Sequence, residues 1–389
     1  MHQNPFSPSF AMLPSSFFGR TSYIEAYGRS LDEAGSAGRF FFLTGTRGSG
    51  KTSLLHQYEL QATTRHWDVL RATSIDVLDR LLHYAGLDAT ITRSKSLDPS
   101  VSIAGIGSAS IGNLGMVAVE APKLHLLGEG LQRKLRSFRV KNGLAIIVDE
   151  SQKLKNDDAV ILLNAVQDAK ASGLPISLVL CGLPNTYNRV RSFSDVTFVR
   201  RMRREKLWSM SKGETLAFLS KTFAQVPEIS LTSEQIARLG SFSGGHPYLL
   251  QLLGDHLYRI VDEEFSPLSG EVVAAPDWAI ELAESRSLVE YKENVLDDVL
   301  KGTHPKTREY IRVAYSLRDK TGLIETARVN ERFGKTAQEL STRRASALST
   351  QVIRDAGRGA LRFALPHCQY LFEAYDYSES EVGDDDWEL

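Results

Sequence analysis

The chain alternates short runs rich in apolar residues with longer stretches in which apolar side chains return every three or four residues. Arg39–Leu43 (RFFFL), His66–Ala72, Leu144–Val148, Ile176–Cys181 and Lys206–Met210 have the length and continuity of strands. The nearly continuous apolar runs RFFFL, LAIIV and ISLVLC fit strands covered on both faces, and the other two are mixed strand candidates. Between them lie helical patterns, such as Ile24, Tyr27 and Leu31, and the segment from about Gly50 to Ala62. Strands separated by helices predict a parallel sheet with crossover connections, an α/β class. From Ser211 to Phe265 the pattern becomes purely helical. Residues 266–276 (SPLSGEVVAAP) read as a linker, and a second helix-rich stretch runs from about Asp277 to Tyr375.

Composition narrows this picture. At 389 residues the chain has room for two or three domains, and 42% hydrophobic with 24% charged residues is ordinary globular usage. Two cysteines, Cys181 and Cys368, exclude a disulfide scaffold and a cysteine-based zinc module, and fit a reducing, cytoplasmic setting. No leader peptide or membrane span is expected. Net charge is −1, so binding to a polyanion must come from local charge. Residues 97–119 are rich in Gly and Ser and read as a flexible or hairpin-like insertion. The tail Ser378–Leu389 holds six acids and no base, as in a solvated, disordered segment.

The first candidate site is chemical. Residues 45–52 read GTRGSGKT, the pattern G-x-x-x-x-G-K-[ST]. Glycines at Gly45, Gly48 and Gly50 let successive backbone N–H groups turn inward around a phosphate, with Thr46, Arg47 and Ser49 between them. The next helix, carrying Lys51, Thr52 and Ser53, points its N-terminal donors at the same anion. Lys51 supplies a positive charge to the outer phosphates, and the Thr52 hydroxyl is a hard oxygen ligand for Mg²⁺. The setting, between an apolar strand and a helical pattern, is the one this chemistry needs.

The strand LAIIV ends on Asp149 and Glu150. Carboxylates at the C-terminal end of a parallel strand reach the crevice where ligands bind. Asp149 suits Mg²⁺ coordination, and Glu150 suits orienting and deprotonating an attacking water. A guanine-reading N/T-K-x-D element is absent, which argues against a GTPase.

With these pieces in place, the chain resembles the AAA+ ATPases of the origin-recognition/initiator-like group and the allied STAND-type bacterial ATP-binding proteins. The resemblance rests on NPFSPSF and FFGR ahead of the first strand, GTRGSGKTSLL, IIVDESQ, LVLCGLPNT, a basic run, SGGHPYLLQLLG and a C-terminal RFALPHCQYL. It implies that Phe18, Gly19 and Arg20 lie near the adenine and that the loop Gly182–Asn185, with Asn185 its amide, occupies a sensor region. It also implies that an arginine before the fifth strand, best matched by Arg201, serves a neighbouring subunit's γ-phosphate. SGGHPYLLQ would open a lid helix. Where the family usually has an arginine there, this chain has His246, which leans toward slow hydrolysis.

Residues 301–363 carry fourteen bases and six acids, a local charge of +8 inside a nearly neutral protein. Such a module is the electrostatic footprint of nucleic-acid contact. Its order reads as three helices and then a hairpin bent at Gly357 and Gly359, as in a winged helix. Lys335, Gln338, Arg343 and Arg344 are the candidate base or backbone contacts, and Arg358 the contact of the wing.

The expectation is therefore an α/β P-loop AAA+ parallel sheet sandwiched by helices (residues 1–210), then a helical lid (211–265), a linker (266–276), a winged-helix domain (277–377) and an acidic tail (378–389). The cofactors expected are ATP and Mg²⁺, and the partners double-stranded DNA and a homo-oligomer. The alternative is a STAND-type switch that binds a protein partner, its winged helix packed internally.

Overall fold

In the computed structural model, residues 2–9, 17–33, 39–87, 127–137, 142–193, 198–268 and 270–372 are described. The Gly/Ser-rich segment 97–119 and the acidic tail 378–389 lie outside the described residues. The chain divides into two compact units. One comprises Thr21–Thr44 and Leu54–Glu205, the other Met1–Arg20, Gly45–Ser53 and Lys206–Leu389.

The sheet has five strands: β1 (Phe40–Gly45), β2 (Asp68–Thr73), β3 (Leu144–Asp149), β4 (Ile176–Gly182) and β5 (Arg203–Leu207), in the order β2-β3-β4-β1-β5. β2, β3, β4 and β1 run parallel, with Thr73 level with Asp149, Val148 with Leu180, and Thr44 with Gly182. The expected α/β class is present, and its basis is visible in β1. Phe40 and Phe42 face one side, edge-on to Phe198 (4.7 Å) and Tyr187 (5.2 Å). Phe41, on the other side, meets Tyr27 (5.5 Å) and Tyr58 (6.2 Å), which stack on each other at 4.3 Å. A strand that buries both faces has to be apolar at every position, and this is why RFFFL does not alternate. The last strand departs from expectation. It begins at Arg203, not Lys206, and carries exposed basic side chains on a sheet edge, where charge is tolerated and discourages further pairing.

In the other unit, α1 (Lys212–Phe223) and α2 (Ser233–Ser243) each start with a reciprocal capping box, Ser211 with Glu214 and Thr232 with Gln235. Then come α3 (Pro247–Phe265) and α4 (Asp277–Tyr291). Val273–Ala274 pairs with Ile229–Ser230 as a two-stranded sheet within the stretch read as a linker. The C-terminal stretch consists of helices Pro305–Ser316, Thr326–Phe333 and Ser341–Ser349 with a three-stranded sheet, Leu323–Glu325, Ala360–Phe363 and Ile353–Gly357, in that spatial order. The strand Leu323–Glu325 has no strand signature of its own, being three residues long and running directly into the next helix.

The N-terminal segment lies along α3. Asn4 donates to Asp255 (2.7 Å), the Ser7 amide to Gln251 (2.9 Å), and Phe6 packs on Phe223 at 4.8 Å. The Phe6 ring sits directly on Gly254, where a Cβ would collide with it. Emptying so buried a position leaves a cavity, so Phe6→Ala should lower unfolding free energy by about 3–5 kcal/mol. A urea melt checks this. An unshifted midpoint would show that the strap is not part of the core.

Candidate functional site

The phosphate-binding pattern forms the connection its sequence demands: β1 ends at Gly45, and the helix Lys51–Thr64 starts on the lysine. The Lys51 ammonium is folded back on its own loop, donating to the carbonyls of Gly45 (3.0 Å) and Thr46 (2.8 Å). Ser49 closes the turn by donating its hydroxyl to Thr46 O at 2.8 Å. Thr46, Ser49 and Lys51 are buried, Gly50 and Ser53 are half-buried, and Thr52 is exposed at the helix start. A lysine that donates to carbonyls can exchange them for phosphate oxygens, which are stronger, charged acceptors. A single hydroxyl from Thr52 suits Mg²⁺, which takes most of its ligands from phosphates and water. Among the described residues no group of three His, Cys, Asp or Glu forms a self-sufficient metal site.

The loop is seated on the N-terminus of α3. Gly48 O accepts from the Tyr248 amide at 3.1 Å. Gly48 has φ +70°, and a Cβ there would lie 2.5 Å from Tyr248 Cβ and 2.9 Å from His246 Cε1, so only glycine fits. Arg47 reaches out instead and pairs with Asp298 at 2.8 Å. The hydrogen bond from Lys301, and then the charge of Arg47, hold the Asp298 carboxyl below its usual range.

The FFGR segment joins the same group. Gly19 and Arg20 both have positive φ. The Arg20 amide donates to Glu214 (3.0 Å), and its guanidinium to Trp208 O and Ser49 O. Burial pushes the Glu214 carboxyl up, but hydrogen bonds from Ser211 and the Arg20 amide outweigh this and hold it low. Phe18 packs edge-on to Phe218 at 5.5 Å.

His246 is 1% exposed, edge-on to Tyr291 at 5.0 Å. Burial first, with the charges of Lys51 and Arg20 adding to it, pulls its imidazole down to about 3. It is therefore neutral at pH 7 and supplies no positive charge beside the loop.

In the sheet unit, Asp149 is the last residue of β3, and Glu150 takes the left-handed conformation at φ +54°. That turn costs an L-residue roughly 1–2 kcal/mol, and it re-aims the carboxylate where the strand ends. The Glu150 amide donates to Asp149 Oδ1 (2.8 Å). Gln152 donates to Glu150 Oε2 (2.6 Å) and accepts from the Leu183 amide (3.2 Å), bridging the acidic turn to the end of β4. Sequence reasoning missed Gln152. Its signal was an amide two residues after Glu150, a spacing that becomes meaningful only once β4 is known to adjoin β3. Asn185 is exposed at the start of helix Thr186–Arg191. Arg201 ends the 3-10 turn Phe198–Arg201 and is exposed.

The basic residues of the C-terminal stretch fall into two sets. Arg343 pairs with Glu309 (3.2 Å) and lies over Phe333, while Arg344 pairs with Asp355 (3.1 Å). These two tie the helix Ser341–Ser349 to its neighbours. Lys335 and Gln338 are exposed in the turn before that helix, and Arg358 (φ +50°) in the bend between the last two strands. Arg328, Arg332 and Arg354, not singled out from sequence, are exposed with no ion-pair partner among the described residues.

Residues 33–190 match the family described as an AAA domain, and residues 293–371 a domain of unknown function (DUF8462). No curated protein matches the chain by sequence. Among solved structures, the ORC2 protein of Aeropyrum pernix in its ADPNP-ADP complexes is similar over 96% of this chain and 98% of its own, with a TM-score of 0.54 at 12% identity. Its ADP form gives 0.51 at 12% identity, over 96% and 97%. Cdc6p from Pyrobaculum aerophilum gives 0.47 at 12%, over 95% and 97%.

The neutral imidazole has a pH consequence. A histidine that stays unprotonated when folded but titrates near 6.5 when unfolded stabilises the fold above 6.5 and loses that contribution as pH falls toward 3. By pH 5 this one group costs about 2 kcal/mol. Unfolding free energy of His246→Gln, measured in urea at pH 7 and pH 5, should therefore fall less than that of the unsubstituted chain. Equal losses would mean that the ring is not held neutral.

Proposed function

We propose that the protein, whose residues 33–190 match the family described as an AAA domain and whose fold is similar to that of an ORC2 protein, is a Mg²⁺-dependent ATP-binding switch with slow hydrolysis that engages double-stranded DNA through its basic C-terminal module. The observation that carries the reading is the phosphate loop itself. Its lysine donates to loop carbonyls, and its fourth residue is bonded to the first turn of α3.

In this reading Gly45 to Gly50 wrap the phosphates with backbone amides, and Lys51 exchanges Gly45 and Thr46 for phosphate oxygens. Thr52 and Asp149 would hold the Mg²⁺, which when bound would neutralise charge on the phosphates. Glu150, oriented by Gln152, aligns the attacking water and takes its proton. Phe18, Gly19 and Arg20 border the base. Slow turnover is supported by His246, a neutral group where the family usually has an arginine. Arg201, exposed just ahead of β5, is available to a neighbouring copy, so a homo-oligomer fits. Among the described residues no helix is long and apolar enough to cross a membrane, and a cytoplasmic setting is part of the proposal.

The helices and three-stranded sheet of the C-terminal stretch are read as a winged helix. Arg328, Arg332, Lys335 and Arg358 are its proposed DNA contacts, with Gln338. A second reading, in which the module is packed internally and the switch binds a protein, is favoured by the contacts of the C-terminal stretch with the residues that precede it: His367 Nε2 lies 2.8 Å from Phe242 O, and the Ser209 hydroxyl donates to Ala364 O at 3.3 Å.

Lys51→Ala should weaken ATP binding by roughly a hundredfold or more, since a buried charge–phosphate contact is lost. Glu150→Gln should keep ATP bound and stop phosphate release. Titration calorimetry with Mg²⁺ and ATP, and a phosphate-release assay, check both. Unaltered affinity in the first variant, or unaltered release in the second, refutes the assignment.

For the C-terminal module, affinity for a DNA duplex should fall steeply with salt. Arg328→Ala/Arg332→Ala should flatten the log–log slope by about 2, one per phosphate contact removed. Absence of binding at low salt, with or without ATP, would favour the internally packed switch.

A further inference from the structure

Among the described residues eight large apolar side chains stand exposed, and six of them belong to one stretch: Phe265, Leu268, Val272, Trp278, Leu282 and Val289. Phe265 ends α3 and Trp278 opens α4, and their rings stack at 6.2 Å, 26° apart. The connection between them carries Leu268 (75% exposed) and Val272 (61%). Leu282 and Val289 follow Trp278 by four and eleven positions, continuing one face of the helix. A ring pair held together in water, extended along a helix face, is more than the scattered exposure every protein shows.

The border of this face is acidic. Residues 262–290 hold eight acids (Asp262, Glu263, Glu264, Glu271, Asp277, Glu281, Glu284 and Glu290) and a single base, Arg286. Arg238, from the adjoining α2, pairs with Glu284 (2.7 Å) and Glu281 (3.7 Å), and His256 lies 2.9 Å from Glu290. Arg259 is engaged by Asp255. Glu264 and Glu271 meet no cation among the described residues.

We propose that this face is a docking surface for a segment of another protein with basic amphipathic chemistry: apolar side chains for the Phe265–Trp278 pair and the α4 face, flanked by lysine or arginine for the acidic border. Charge decides the occupant. A second copy related by a two-fold axis would set acidic border against acidic border, which is repulsive. None of its residues belongs to the loop at 45–52 or to the basic stretch 301–363.

The test uses the full chain and two labelled helical peptides, one of leucine and lysine, the other of leucine and glutamate, followed by fluorescence anisotropy. The leucine–lysine peptide should bind at least roughly tenfold more tightly than the acidic one and weaken with salt. Trp278→Asp should reduce that binding about tenfold or more, a loss on the scale expected for an aromatic anchor. Glu264→Lys/Glu271→Lys should move the preference toward the acidic peptide without altering ATP binding. Equal affinity for the two peptides, undiminished binding by Trp278→Asp, or unchanged preference in the lysine variant would overturn the proposal. So would self-association in sedimentation that Trp278→Asp removes, which would make a second copy the occupant.

Discussion

The bond from the Tyr248 amide to Gly48 O ties the loop at residues 45–52 to the first turn of α3. In the proposed reading the loop presents its amides to an anion, which leaves its carbonyls pointing elsewhere, each in need of a donor. Lys51 satisfies those of Gly45 and Thr46, Ser49 donates to the latter as well, and the first turn of α3 satisfies that of Gly48. The start of α3 thus supplies a donor to the loop, in the turn where a helix has N–H groups to spare. Glycine at position 48 follows from this closeness, because any side chain would occupy the space of Tyr248 and His246.

Charge around the loop is arranged with the same economy. Lys51 and Arg20 are both buried, and both donate to main-chain carbonyls. A carbonyl is a weaker acceptor than a phosphate oxygen, so a cation resting on one can pass to an anion. Asp298, the carboxylate that pairs with the loop, meets Arg47 at its exposed position. His246 completes the set by being neutral. An imidazolium in that apolar pocket, beside two cations, would be expensive, and the protein keeps the proton off.

Much of the sheet unit is legible in its residues alone. RFFFL, LAIIV and ISLVLC are local records of strands covered on both faces, and each strand ends within a residue or two of its apolar run. Less legible are features that need a neighbour. The edge strand at Arg203 reads as a basic loop because its exposed side has no apolar signature. Leu323–Glu325 is a strand only because Ala360–Arg362 pairs with it. Gln152 acquires meaning from Leu183, which is distant along the chain and adjacent in space.

Local sequence is enough for the alternation of strands and helices, the glycine-lysine loop at residues 45–52 and the acids that close β3. All of these are set by short-range chemistry: periodicity, backbone freedom and the ends of apolar runs. Folding in three dimensions settles which charges are spent on the protein itself and which face solvent. Arg343 and Arg344, alike in charge to Arg328 and Arg332, are engaged because Glu309 and Asp355 fold against them. It also makes His246 neutral and brings Phe265 onto Trp278 in the open. The physical reason is the same in each case. Solvation and pairing are set by what lies within a few ångströms in space, and residues far apart along the chain supply it.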